Sequence, residues 1–466
     1  METIAALGSP LALVAGALAV LLLEAFLGRR RPKAPAAAAF VFLAAAAFCA
    51  VRAWGKGWSY FGGRLQADEL ALALTVLFVL AGAAVLLMGL DYALLRGVEP
   101  GPFAGLVLLA LAGAAVMVSS TDGLVVFLGL EILSVASYAL TGLQRAERAS
   151  AEAAAKYFLM GSFAGAFFVF GLAFVYGSTG GLVLTAGAPA AALGTALVLT
   201  ALFFKAAVAP FHMWAPDVYE GAPTPVAAFL TLVPKAAGLA VALRIALPRL
   251  GPAAVSPLFT DVLSAAAVLT MFAGALGALR QKSFKRMLAY SSIAHSGFLL
   301  VAVVARDAAG LVFYLAAYLF MNTGAFGVLA LAAGPDGEPA AIADLAGLGR
   351  RAPWLAAGLT VFLLSLAGFP PTAGFLAKFT VFGAAVREGR IALTVAAVLA
   401  SLVSAAFYLR VVVAMYMEEG GEPPVGERND PAMVLVLFLC LFGVIQLGLW
   451  PGNLMALIRG AFPAPF

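Results

Sequence analysis

An all-α integral membrane protein of about fourteen transmembrane helices is the fold class this sequence predicts, on three observations. Of its 466 residues, 64% are hydrophobic and 11% charged, against roughly 45–50% and about 25% in soluble domains. The apolar residues fall in runs of about 17 to 30, enough to cross a hydrocarbon core of about 30 Å at 1.5 Å per residue. Two runs are too long for one straight span, and each carries its own proline break. In lipid a spanning segment must satisfy its backbone groups internally, so the runs are helices.

The first run, 11–27, has the apolarity of a signal peptide, but its basic cluster Arg29, Arg30, Arg31 and Lys33 follows it instead of preceding it, which predicts a retained span. Spans at 35–54, 70–90, 103–119, 123–142 and 152–176 come next. The seventh run, 190–220, would reach about 45 Å as continuous helix. It contains Ala-Pro-Phe-His-Met-Trp-Ala-Pro, and Pro210 and Pro216 should open it by removing donors and crowding the preceding turn. Spans 224–247, 258–279, 286–305 and 308–333 lead to the twelfth run, 354–387, broken in Gly-Phe-Pro-Pro-Thr-Ala-Gly by Pro370 and Pro371. Spans 391–417 and 432–457 complete the series.

The broken segments, seventh and twelfth, lie five spans apart and so cross in opposite directions. That is the pattern of an inverted-topology repeat, and paired interrupted segments point to a transport site; two unrelated proline kinks would look the same. The predicted domains are 1–100 with three helices, 101–250 and 251–420 as inverted five-helix repeats (spans 4–8 and 9–13), and 421–466 as a loop and last span. With both termini outside, the inner loops hold about fourteen basic residues and the outer loops and tail roughly nine, which satisfies the positive-inside rule. The net charge of +5 therefore reflects membrane orientation and argues against nucleic-acid binding. Cys49 and Cys440 are lone cysteines in apolar runs, which predicts neither a disulfide framework nor a cysteine-based metal or iron–sulfur site.

Four ionisable residues fall at membrane depth: Glu131 in the fifth span, Lys205 five residues before the first break, Lys235 directly after Pro234, and Lys378 seven residues past the Pro-Pro break. At about 2.5–3.5 kcal/mol each, they would cost on the order of 10–14 kcal/mol if left unpaired. They must be paired, hydrated or transiently neutral, and a group that changes among these states can load and unload a proton. The alternative is ion pairing that only ties helices together. Lys156, at the start of the sixth span, fits interfacial snorkelling equally well. Glu24, Arg244 and Arg410, near span ends, are expected to be interfacial. His212 falls inside the first break and His295 in the tenth span; imidazole can pass protons through either nitrogen, or simply bond neighbouring helices. Ser291, Ser292 and Ser296 surround His295 at helical spacing.

Three stretches carry a resemblance. They are Lys156-Tyr-Phe-Leu-Met-Gly-Ser-Phe with Tyr176-Gly-Ser-Thr-Gly, then Pro210-Phe-His-Met-Trp-Ala-Pro-Asp-Val-Tyr-Glu-Gly-Ala-Pro-Thr-Pro, and Lys285-Arg-Met-Leu-Ala-Tyr-Ser-Ser-Ile-Ala-His-Ser-Gly. From about the fourth span to the thirteenth the chain resembles the subunit N family, antiporter-like membrane subunits of respiratory complex I, the proton-translocating NADH:quinone oxidoreductase. The Asp217-Val-Tyr-Glu segment is what separates it from sibling families. The first three spans and the acidic loop from Glu418 to Asp430 match nothing nameable.

The resemblance implies a role for each buried charge. Glu131 would pair with Lys205, Lys156 would tune that pair, Lys235 would connect the halves with His212 and His295 as relays, and Lys378 would release protons to the outer face. It implies no cofactor in this chain, with NADH, FMN, iron–sulfur clusters and quinone in partner subunits. It also implies other membrane-arm subunits, lipids and protons as partners, no nucleic acid, and a bacterial inner membrane with both termini periplasmic. A cation/proton antiporter subunit, a membrane-bound hydrogenase arm and a passive scaffold remain the rivals.

Overall fold

The computed structural model describes residues 7–28, 31, 33–184, 189–247, 257–332, 338, 340–419 and 430–462. The expected inner-loop residues Arg29, Arg30 and Arg428, and most of the Glu418 to Asp430 loop, lie outside the described residues.

Helices follow one another almost without interruption: α1 Gly8–Leu27, α2 Lys33–Ala53, α3 Glu69–Leu95, α4 Pro100–Val118, α5 Gly123–Thr141 and α6 Arg148–Thr179. The seventh run is two pieces, α7 Pro189–Lys205 and α8 Ala215–Gly221, and is followed by α9 Thr224–Ala246, α10 Pro257–Leu279, α11 Phe284–Val304 and α12 Ala308–Leu331. After a short turn of helix, α13 Leu348–Arg351, the twelfth run is again two pieces, α14 Pro353–Ala367 and α15 Ala373–Arg387, followed by α16 Ile391–Met417. Twelve described helices are long and apolar enough to span a membrane. The two broken runs bring the count to the fourteen expected, with both breaks at the prolines.

Two details differ from expectation. The loop after α2 is a small antiparallel hairpin, β1 Trp58–Tyr60 with β2 Leu65–Ala67. The last span stops early, as α17 Pro431–Leu449, and resumes past Pro451 as a short helix, α18 Gly452–Ala461. Proline at 451 lacks the donor that would continue the first helix.

Local chemistry sets the helix starts. Asp68, Asp122, Ser283, Asp307 and Asp430 each stand at an N-cap and accept from backbone N–H groups of the first turn, satisfying donors a helix start leaves orphaned. At the other end of α10, Arg410 donates to the carbonyls of Leu279 (2.8 Å) and Gln281 (2.6 Å).

The chain divides into two compact units. One comprises residues 1–214, 221–223 and 233–263; the other comprises 215–220, 224–232 and 264–466. In the first, α4 and α5 touch backbone to backbone: a Cβ on Gly113 would lie 2.5 Å from the Leu133 nitrogen, and one on Gly129 would lie 2.6 Å from the Met117 nitrogen. Small residues permit such close approach of helices in lipid. In the second, α11 and α12 are almost wholly enclosed by protein, with 94% of the residues of each spanning stretch buried.

Candidate functional site

In the first unit the site is built around Lys205, the last residue of α7 and only 2% exposed. The chain turns away beyond it because Ala207 adopts a positive φ of 55° on the way to Pro210. A helix ending at Lys205 places the ammonium near the negative end of that helix's dipole. The Nζ donates to Ser134 Oγ at 2.8 Å and to the Tyr157 hydroxyl at 3.2 Å. It also stands over the rings of Tyr157 (5.1 Å) and Tyr138 (5.4 Å), a geometry in which the ring quadrupoles favour a cation.

The aromatic wall is itself fixed. Tyr157 stacks on Trp214 at 4.4 Å and 7°, and Trp214 Nε1 donates to the Phe204 carbonyl at 2.9 Å. Trp214 thus adds a second donor to a carbonyl in the last turn of α7 that also accepts from Ala207 N at 3.0 Å.

Glu131 is half-buried and, with Ser134, Tyr138 and Lys205, lines one narrow cleft of about 10 Å³, room for about one water molecule. Its Oε1 faces Gly165 of α6, where an added Cβ would lie 3.0 Å away. Lys205 gives its hydrogen bonds to Ser134 and Tyr157, and Glu131 stands one helical turn before Ser134. The expected pair shares this cleft.

The remaining expected residues of this unit are spread more widely. Lys156 pairs with Glu152 at 2.8 Å, four residues earlier on α6, with 43% of its side chain exposed. It stands next to Tyr157, which does reach Lys205. Lys235 is fully buried in α9 after Pro234. His212 lies half-buried within the first break. Arg244, in the last turn of α9, is enclosed by protein: only 1% of its side chain is exposed, and it makes a two-pronged pair with Asp68 (2.5 and 2.7 Å) while donating to the Val118 carbonyl at 2.8 Å.

In the second unit Lys378, 4% exposed, reaches back across its break. Its Nζ donates to the carbonyls of Leu366 (3.0 Å) and Ala367 (2.8 Å), the last turn of α14, and to Ser401 Oγ on α16 at 2.8 Å. It stands 4.9 Å over the Phe298 ring. Gly368 makes this possible: its φ is +90°, and a Cβ there would lie 3.0 Å from Lys378 Cδ and 3.3 Å from Nζ. Gly368→Ala should therefore combine left-handed backbone strain of about 1–2 kcal/mol with displacement of the ammonium. The expected readouts are lower thermal stability of the assembled protein and weaker proton movement; wild-type values for both would refute this account of the break.

His295, 1% exposed, lies among three tyrosines. Its Nδ1 is 2.9 Å from the Tyr314 hydroxyl and its Nε2 is 3.3 Å from that of Tyr408, with the Tyr318 ring at 5.0 Å. Near the start of α11, Arg286 spans Asp217 (2.7 Å) and Glu220 (2.9 Å) of α8, while Glu338 meets Lys285 (3.4 Å) and Thr224 (2.5 Å). These contacts anchor the short half-helix that follows the first break.

Ser134, Tyr138, Tyr157, Trp214, Ser401, Tyr314 and Tyr408 were not among the expected site residues. A signal existed for two of them, since Ser134 and Tyr138 follow Glu131 by three and seven residues, on one helix face. Among the described residues, no group of three or more His, Cys, Asp or Glu side chains is placed to hold a metal ion.

Comparison with known proteins adds four findings. Residues 120–404 match the family described as NADH:quinone oxidoreductase/Mrp antiporter, TM. A relative from Roseiflexus castenholzii named NADH-quinone oxidoreductase subunit N 2 is 41% identical over 475 residues, covering 96% of this chain and 94% of the relative. Among solved structures, a chain of respiratory complex I from Thermus thermophilus with bound aureothin superposes with a TM-score of 0.85 at 35% identity, covering 96% of this chain and 98% of that one. A chain of the Mrp complex from Dietzia sp. reaches the same TM-score at 21% identity, over 98% and 97%, a likeness of fold.

Proposed function

The chain belongs to the NADH:quinone oxidoreductase/Mrp antiporter transmembrane family, and from that premise we propose that it is a proton-translocating subunit of the membrane arm of complex I. The 41% identity to a subunit N relative, set against a likeness of fold alone to the Mrp chain, favours complex I over a stand-alone cation/proton antiporter. The redox chemistry, with NADH, FMN, iron–sulfur clusters and quinone, belongs to partner subunits. This subunit moves protons in response, in a bacterial inner membrane, with both termini on the periplasmic side and lipid around its outer face.

One observation carries the reading: each proline break has a buried lysine at the carboxyl end of its first half-helix, Lys205 at the end of α7 and Lys378 on the last carbonyls of α14. The inverted repeats read from the sequence, 101–250 and 251–420, would be the two half-channels. A lysine in this position has carbonyls, hydroxyls and aromatic faces to stabilise its ammonium, and a moving charged partner can bias the exchange between its charged and neutral forms. In the first half-channel, Glu131 shares the Lys205 cleft and its approach or withdrawal biases that balance, with Lys156 tuning Glu131 and Lys205. Lys235 connects onward, His212 and His295 relay, and Lys378 discharges. The proton is the substrate, and the side chains take it up and hand it on.

Lys205→Ala and Glu131→Ala, assayed in the assembled complex, should each lower coupled proton translocation by about a hundredfold, the scale of a lost acid–base group. Wild-type proton translocation and quinone reductase rates in both variants would end the assignment of this pair.

A further inference from the structure

His295 has a hydroxyl on each ring nitrogen, and those hydroxyls come from different helices: Tyr314 from α12 at Nδ1 (2.9 Å) and Tyr408 from α16 at Nε2 (3.3 Å). The Tyr408 hydroxyl also bonds Ser291 Oγ on α11. The result is an unbroken hydrogen-bonded row, Tyr314, His295, Tyr408, Ser291, with every member buried. A buried neutral imidazole has one donor and one acceptor nitrogen to satisfy, and here both partners are hydroxyls, which can themselves give and take protons. An imidazole partnered on both nitrogens can accept a proton on one side and release another from the opposite side.

The row points somewhere. On α16, Ser401, Ser404 and Tyr408 are spaced by three and four residues and so share one face, and Ser401 is the hydroxyl that Lys378 holds at 2.8 Å. Phe298 joins the same two groups from the other side, 5.7 Å from the His295 ring and 4.9 Å beneath the Lys378 ammonium.

We infer that Tyr314 and Tyr408 are proton-relay residues that load and unload His295 from its two ring nitrogens; this rests on the reading of the chain as proton-translocating. The step balances as one concerted shift. A proton arriving at the Tyr314 oxygen displaces that hydroxyl's own proton to Nδ1, the Nε2 proton passes to the Tyr408 oxygen, and the Tyr408 proton passes to Ser291, whose own proton leaves. One proton enters, one leaves, and His295 is left as the other tautomer. Reorientation of the hydroxyls and the ring restores the starting state.

The test uses the assembled complex in membrane vesicles. Tyr314→Phe and Tyr408→Phe keep the rings and remove the hydroxyls, and each is expected to lower coupled proton translocation about tenfold or more. A fluorinated tyrosine placed at 408 by codon suppression keeps the hydroxyl and its bonds but is a stronger acid. A relay then shows a changed rate and a displaced pH profile, whereas a bracing hydrogen bond shows neither. Wild-type translocation in both phenylalanine variants, or an unchanged rate and pH profile with the fluorinated residue, overturns the proposal. If a phenylalanine variant fails to assemble, the fluorinated complex decides. Lys205→Ala is measured beside them: loss there, with wild-type behaviour of the tyrosine variants, removes the relay and leaves the proton-translocating reading intact. Wild-type behaviour of all of them removes both.

Discussion

Lys378→Met is expected to reduce coupled proton translocation by about a hundredfold in a complex that still assembles. Methionine fills similar volume but carries no proton. It also withdraws the donor from the Leu366 and Ala367 carbonyls. The Ala367 carbonyl keeps Ser401 Oγ as a donor at 3.3 Å, so one carbonyl bears most of the loss, about 1–3 kcal/mol. Lys378→Arg separates the two consequences. A guanidinium can hold the same carbonyls but does not give up its proton at accessible pH, so stability should recover while translocation does not. Proton uptake in vesicles, measured against quinone reductase activity and thermal stability, distinguishes them. Translocation at the wild-type rate in the arginine variant would mean that Lys378 is a structural clamp and not a proton carrier.

The second large effect is on stability. Asp68→Ala should destabilise the protein by about 3–5 kcal/mol, because it strands the Arg244 guanidinium, 1% exposed, without its carboxylate. It also removes the N-cap of α3, where Asp68 accepts from Ala71 N at 3.0 Å. A double variant, Asp68→Asn with Arg244→Leu, keeps an N-cap side chain and removes both charges, and should recover most of the loss, since a buried pair is worth far less than the penalty for breaking it. Unfolding in detergent, read as a double-mutant cycle, checks this. An Asp68→Ala cost near about 0.5 kcal/mol, the range of unremarkable surface changes, would sink it.

The helical architecture was legible because lipid leaves the backbone few options, and because proline announces an interruption wherever it falls. Pro210, Pro370 and Pro371 mark both breaks, and Pro451 marks the interruption of the last span in the same way. The charged residues were legible because their cost at membrane depth makes them conspicuous. Their partners were not. Nothing in the sequence near Arg244 names Asp68, which is 176 positions away. Serine and tyrosine in an apolar helix are cheap and common, and only folding shows that Ser134, Tyr157, Ser401 and Tyr408 converge on the lysines and His295. The hairpin at 58–67 was hidden by its shortness: three residues a strand give no alternation to read.

The burial of α9 bears on how the chain is made. Its spanning stretch is 100% buried in the folded protein, although its composition is that of a lipid-exposed span. The insertion machinery judges it by that composition, at a moment when much of what will cover it has not been synthesised. Thr231 on α9, for example, accepts from Asn322 of α12 at 2.6 Å, a residue translated 91 positions later. Until then Lys235, midway along the helix, carries an insertion cost of about 2.5–3.5 kcal/mol. A side chain that the finished protein encloses is thus a burden on the helix that carries it while the chain is being made.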